Sequence, residues 1–240
     1  MRAYIGFDDT DALGSDYGTG KLARWFENVL PEECKLWGVV RQQLLVDSRI
    51  PYTSHNSSAC VIVDFSNPSL KDKLLSLAIA HIKDKSHHKS DPGICFACDG
   101  DQALPELISF GKLCTAAVVT QKDAFHAAKG VHLSGHGGTN DGIIGAVAAV
   151  GLTASGWSGR FIEFGRLRNF NENVSVSDLE KSGIHVISVD RNAVVPAPDD
   201  IVNTKKWLRP RLLGYKAVLP VLPGGQNLWY SIGDKSKTAL

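Results

Sequence analysis

Asp8, Asp9 and Asp11 put three carboxylates into four residues, in FDDTD at 7–11. Held side by side they repel one another. A hard divalent cation such as magnesium relieves that repulsion through oxygen ligands, and it keeps waters and substrate phosphates in its other positions. These three aspartates are therefore the candidate metal ligands and catalytic residues, and the chemistry they suggest involves phosphate. The competing reading is a solvated turn in which Asp11 or Ser15 caps the helix that follows.

A second segment, GHGGTNDGIIGA at 135–146, supplies a complementary feature. Its glycines allow close approach of backbone to a ligand. A helix that starts just after them directs its first N–H groups and its positive end outward, which suits an anion. Gly138, Thr139, Asn140, Gly142 and Gly145 are the candidate phosphate-binding positions here, with Thr10 and Thr19 in the acidic loop. No GK[ST] follows, so this is not a P-loop, and the strand context of a dinucleotide fingerprint is absent. A plain loop before a buried helix would look the same. Taken together, however, an acidic cluster and a glycine-rich helix start are what metal–triphosphate chemistry requires: ATP and Mg2+ held by acids and amides, with catalysis by positioning and charge neutralisation.

Other reactive residues are less organised. Cys95 and Cys98 form a single CxxC, and no second one exists among the five cysteines at 34, 60, 95, 98 and 114. A zinc site would need two more ligands, for which His81, His87 and His88 are the nearby candidates. The alternative is two small residues at the end of a strand. His132 and His136 are four apart, but the glycines around them argue against a helical metal pair.

The elements that must position these groups follow from periodicity. Residues 2–7, 34–46 and 59–65 read as strands, and 20–30 and 69–83 as helices, the latter capped by Asn67 or Ser69. Residues 103–128 read as one or two helices, 130–142 as loop and 143–154 as a buried helix. Strands are expected at 159–165, 184–189, 216–222 and 227–232, the last two across PGGQ. Five of the ten prolines (196, 198, 210, 220 and 223) fall in the final 45 residues. Strands and helices interleave, which gives an α/β (α+β) class. A soft boundary near residue 128 divides 1–128, which carries the acidic motif, from 129–240, which carries the glycine loop and the buried helix. One interleaved unit is the alternative.

The charge balance is nearly even, 26 Lys+Arg against 25 Asp+Glu in 240 residues, for a net charge of +1. That excludes a strongly basic nucleic-acid coater, whose affinity comes from many phosphate contacts. It leaves room for RNA held at one local patch. The longest apolar run, 143–152, is half the length of a bilayer span, so no membrane is expected. The start, MRAYIGFDDTD, has no signal-peptide core, and the odd number of cysteines suits reduced thiols. A cytoplasmic protein is expected.

The order of IGFDDTD at 5–11, GTGKLA at 18–23, IPYTSHNSSA at 50–59, SDPGICF at 90–96 and DGIIGAVAAVG at 141–151 resembles the archaeal tRNA-Ile 2-agmatinylcytidine synthetase (TiaS) family. Trp207 and AVLPVLPGGQNLWYSIGD at 217–234 resemble that family's strand–turn–strand ahead of its RNA-binding modules. The resemblance implies a kinase-like catalytic subdomain packed with a ferredoxin-like subdomain, without the OB-fold and zinc ribbon of the family. It also implies ATP and magnesium, with phosphoryl transfer activating a cytosine oxygen that agmatine displaces. Asp8, Asp9 and Asp11 match the acidic motif, Thr19 a threonine after it, and Gly142 and Gly145 the glycine loop. The chain departs from the family at Ser54, His55 and Asn56, and at Thr139, Asn140 and Asp141, where basic residues are usual. Asp141 is placed to join the metal shell.

The expectation is a magnesium- and ATP-dependent phosphotransferase or ligase-like enzyme, in the class of tRNA processing. Its acceptor is a small nucleoside-like or amine-bearing molecule, or RNA delivered with a partner protein. The alternatives are a nucleotide-binding protein of the same fold without turnover, and a metal or redox protein built on Cys95 and Cys98.

Overall fold

The computed structural model describes residues 1–53, 55–165 and 167–233. Its elements, in order, are β1 (Arg2–Asp8), α1 (Thr19–Trp25), β2 (Cys34–Gln43), β3 (Ser57–Phe65), α2 (Leu70–Lys85), β4 (Gly93–Cys98), α3 (Leu104–Leu113), α4 (Gln121–Ala127), β5 (His132–Gly135) and α5 (Gly142–Ala154). There follow β6 (Arg160–Glu163), β7 (Asn173–Ser175), α6 (Val176–Lys181), β8 (Ile184–Ser188), β9 (Ile201–Asn203), β10 (Arg211–Leu213), β11 (Lys216–Gly225) and β12 (Leu228–Ser231). The class is mixed α+β, as the interleaved pattern implies.

Strands β5-β4-β1-β3-β2 form an antiparallel sheet with β1 at its centre. Its two faces are both covered, because the central strands are apolar on both sides. Ile5, Phe7, Val61, Ile94 and Phe96 meet Leu22, Phe26, Leu74 and Ile82 of α1, the 3-10 turn Phe26–Val29, and α2. Tyr4, Cys60, Ile62, Cys95 and Ala97 meet Leu107, Phe110, Val147 and Val150 of α3 and α5. Every residue of α5 except Ile144 is buried, which follows from a helix that is apolar all round.

β6 pairs with both β2 and β10, and so joins this sheet to the C-terminal strands. There β11 lies antiparallel to β10 and β12 and parallel to β8. β5 follows residue 128 yet pairs with β4, and α5 covers β1, β3 and β4. Residue 128 lies between α4 and β5, with no gap in the sheet at that point. Among the described residues no helix is long and apolar enough to cross a membrane.

Several local expectations need correction. The segment read as loop over 130–142 contains β5, an edge strand of four half-exposed residues, HLSG, too short to show apolar alternation. The helix from residue 20 gives way to a 3-10 turn at Phe26. No side chain caps α2: Asn67 Oδ1 instead accepts from the N–H and hydroxyl of Ser69. Cys95 and Cys98 face opposite sides of the sheet, one in each core layer. Burial pushes the Cys98 thiol up to about 11 and the Cys95 thiol also well up, so neither is a ready thiolate. All five cysteines are free and buried, which ends the CxxC metal or redox reading.

The start of α5 touches the sheet at glycines. A Cβ on Gly93 would overlap the Gly142–Ile143 peptide, and one on Gly6 the Ala146 carbonyl. Gly93→Ala should therefore push the helix off the strand. The expected cost is about 1–3 kcal/mol, read as a lower urea midpoint at unchanged slope. An unchanged midpoint would mean that the contact is not close.

Candidate functional site

The acidic loop leaves the C-terminal end of the central strand and runs beneath the start of α5. Asp8 is the last residue of β1, paired across β4 with Gly93. Its carboxylate lies where a Cβ on Gly145 would be, so glycine there is what makes room for it. Burial, then the neighbouring Asp9, raises its pKa well above the usual carboxylate range. Asp9 turns the chain with φ 50°, a left-handed conformation that Asp and Asn tolerate better than most residues. Its pKa is pushed up to about 6 by burial, with Asp91, Asp11 and Asp141 adding repulsion.

Asp11 is differently placed. It accepts from the Thr19 N–H at 3.3 Å, the Thr19 hydroxyl at 3.4 Å and the Thr53 hydroxyl at 3.1 Å. It thus serves the start of α1, whose N-cap Gly18 has no side chain to do so. Thr10 is buried and donates its hydroxyl to Thr19 at 3.0 Å, and its carbonyl takes the His87 N–H at 2.9 Å. The loop is therefore tied to α1 and to the segment after α2. Of the three aspartates, Asp8 and Asp9 remain crowded, each offset only in part by one backbone N–H, of Asp9 and of Asp91 respectively.

Asp91, in the DPG segment, is an acid that the sequence motifs leave unassigned. Its carbonyl accepts the Gly142 N–H at 3.1 Å, and its carboxylate accepts from the Thr139 hydroxyl. Gly138, with φ 52°, leaves the space that the Asp91 carboxylate fills. Asp141 accepts from the Gln121 side chain, which also donates to the Thr139 carbonyl. The signal for Asp91 was its place beside a Pro-Gly pair, a turn that points a side chain back at its neighbours.

Gly142, Gly145, Asp8, Asp9 and Asp141 line one cavity of about 360 Å³, which has an apolar wall that includes Leu44, Ile50 and Ile144. A space of that size and character suits a nucleotide. Gly138, Thr139 and Asn140 do not line it. The Gly142, Ile143 and Ile144 amides are already bonded to the carbonyls of Asp91, Asn140 and Asp141. The expected cradle of free amides is thus absent in the first turn, and the positive end of the helix is what faces the cavity. A second space of about 370 Å³ shares Asp8, Asp9 and Asp141 and extends to Asp11, Thr19 and Asp91. Ser54 lies outside the described residues. His132 on β5 and His136 just past its end are bridged by the Ser134 hydroxyl at 2.8 and 2.9 Å, an extended arrangement and not a helical pair.

The donor set fits magnesium: crowded carboxylate oxygens, with Arg49 of the same cavity engaged by Asp47. Among the described residues no three acids, histidines or cysteines form a ready-made metal cage. An ion here would take its other ligands from phosphate and water, as magnesium does.

No family model matches the chain, and no curated protein matches it in sequence. Solved structures do. One is a tRNA fluorescent labeling enzyme, at 27% identity and TM-score 0.52, covering 63% of this chain and 36% of that one. Another is TiaS, a tRNA agmatidine synthetase, in its complex with tRNA and ATP, at 26% and 0.52 over the same shares. The complex of TiaS with tRNA, AMPCPP and agmatine matches at 25% and 0.51, again over 63% and 36%. The resemblance carried by the sequence motifs is thus matched in three dimensions. The chain spans 36% of the length of these proteins.

Folding forces Asp9 to hold its charge against its neighbours. Its pKa rises from 3.8 to about 6 on folding, so the penalty is present above pH 6 and is relieved as pH falls from 6 towards 4. Asp9→Asn, which also suits φ > 0, should raise the melting temperature at pH 7.5 by about 2–4 °C. The gain should shrink at pH 4.5. A variant that melts lower at pH 7.5 would show that Asp9 is compensated.

Proposed function

We propose that this chain is the catalytic part of a magnesium- and ATP-dependent RNA-modifying enzyme of the cytoplasm. It would activate an acceptor oxygen by phosphoryl transfer so that an amine can displace it. The observation that carries this reading is the convergence of Asp8, Asp9 and Asp141 on the start of α5 in one nucleotide-sized cavity. Its support from outside is the similarity to TiaS, solved with ATP, and with AMPCPP and agmatine. The kinase-like and ferredoxin-like division of the sequence resemblance belongs to the same proposal.

Asp8 and Asp9 would hold magnesium, with Asp141 across the cavity. When bound, the ion supplies charge neutralisation for the phosphates and for the transition state. The rest falls to the chain. The apolar wall holds the base and excludes water. The positive end of α5 favours phosphate at Gly142 and Gly145, without free amides from its first turn. Thr19 faces the adjoining space, and Thr10 and Asp11 fix its position through their hydrogen bonds. Gly138 and Thr139 act indirectly: they hold Asp91 in place and so keep the acids together, while Asn140 takes the Ile143 N–H at the start of α5.

The acceptor and the amine would enter through the second space, which opens beside Asp11, Thr19 and Thr53. Its acidic lining suits a cationic amine. A partner protein or further modules could deliver RNA there, as the sequence reading expects.

Calorimetry with ATP, with and without magnesium, tests the reading. Binding should require magnesium and should weaken at least tenfold, about 1.4 kcal/mol, in Asp8→Asn and in Asp9→Ala. Both variants should keep their fold. Magnesium-independent binding, or binding that ignores both substitutions, would place the nucleotide elsewhere. Binding with no phosphate release in the presence of RNA and an amine would favour a nucleotide-binding protein without turnover.

A further inference from the structure

The positive charge missing from the two loops is present elsewhere, across the seam between the two parts of the sheet. Arg41 on β2, Arg160 on β6 and Arg211 on β10 are direct cross-strand partners, in the pairs Arg41 with Arg160 and Arg160 with Arg211. Like charges placed directly opposite destabilise a sheet. Arg209 adds a fourth guanidinium, stacked 3.7 Å over the Trp207 ring. Among the described residues, no carboxylate forms an ion pair with any of these four.

The four arginines line one cavity of about 570 Å³, together with Trp157 and Trp207. Trp157 is 67% exposed, a large planar face open to solvent. A smaller basic space of about 250 Å³ shares Arg41 and Arg209 and continues through Arg24 and Arg168 to Asp11, Thr19 and Thr53. It therefore reaches the acidic loop. Glu163 pairs with Arg168 at 3.0 Å and Arg24 at 3.8 Å, so those two arginines, unlike the row, have a carboxylate partner. The electrostatics agree with the geometry: burial lowers the pKa of Arg209 to about 10, with Arg168 and Arg24 adding to it and Glu163 opposing in part. Arg41 and Arg160 are lowered by burial and by the next arginine in the row.

We propose that the row Arg41, Arg160 and Arg211, with Arg209, binds phosphate of the acceptor, and that Trp157 and Trp207 receive its flanking bases. Guanidiniums held in a row, with no carboxylate ion-paired to them among the described residues, match successive phosphate oxygens. The exposed Trp157 indole, with the half-buried Trp207 beside it, matches bases by stacking, a combination that suits single-stranded nucleotides. The shared chemistry is a phosphate beside a planar base, whether in a strand or in a free nucleotide. This deepens the proposed function by naming how the acceptor is held, but it rests on different residues.

The test uses two probes: a fluorescent ten-nucleotide single-stranded RNA, read by anisotropy, and a nucleoside 5′-monophosphate, read by calorimetry. At least one should bind, and Arg160→Gln with Arg211→Gln should weaken it at least tenfold. That double variant removes repulsion, so its melting temperature should not fall. Strand binding should weaken with salt, with a smaller slope in the variant. Trp157→Ala, at an exposed side chain, is the second variant and should weaken the strand about fivefold through lost stacking, taken at about 1 kcal/mol. Should the double variant fail to fold, Trp157→Ala decides alone. Binding of the strand and not the monophosphate identifies RNA as the source, and the reverse a free nucleotide. No binding of either probe, or binding that ignores the substitutions, overturns the proposal. Loss of ATP binding with retained RNA binding would fail the ATP reading and leave this one intact.

Discussion

Glycine-to-glycine contact between the start of α5 and strand β4 sets the distance on which the rest of the site depends. With the Gly142–Ile143 peptide lying on Gly93, the helix cannot sit further from the sheet without opening a gap in the core. At that distance Gly145 lies against the Asp8 carboxylate and shields one side of it from water. Gly142 donates to the Asp91 carbonyl, which brings the Asp91 side chain towards Asp9. The acids are crowded because the backbone around them is close-packed, and their raised pKa values follow from that packing.

The same logic runs through the groove as a whole. One end gathers the carboxylates of Asp8, Asp9, Asp91 and Asp141, and of the cations that line it Arg49 is already paired with Asp47. The other gathers guanidiniums with Glu163 as the carboxylate between them and the acidic loop. A protein is only marginally stable, so keeping two like-charged clusters apart from their counterions is a standing cost. Such costs persist where binding relieves them. A metal at one end and phosphate at the other would each remove a repulsion that the fold carries. The acidic loop, tied down by Thr10, Thr19 and His87, lies between the two.

Much of this was legible from residue order. The central strand, the buried helix without a single charge, and the acidic motif between them follow from alternation, apolar runs and spacing. The α+β class and the TiaS-like motif order carry over to the folded chain. What was hidden is what depends on pairing. Asp91 sits in the DPG motif without an assigned role and joins the site through a carbonyl hydrogen bond to a helix about fifty residues later. β5 could not be read because an edge strand of four residues is too short to show periodicity. The arginine row is invisible in one dimension: Arg41, Arg160 and Arg211 come from three strands and meet only through register. The opposite error, reading α5's first amides as free, came from treating a helix terminus without asking which carbonyls already held it.

The central claim is that the acidic loop and the start of α5 form one metal–nucleotide site. It is tested most directly by crystallising the protein with Mn2+ and a non-hydrolysable ATP analogue and measuring anomalous scattering from the metal. The account predicts a manganese peak in direct contact with Asp8 or Asp9 carboxylate oxygens, with phosphate oxygens of the analogue completing its shell beside Gly142 and Gly145. A nucleotide bound with its metal away from these aspartates, or with its phosphates outside this cavity, would contradict it.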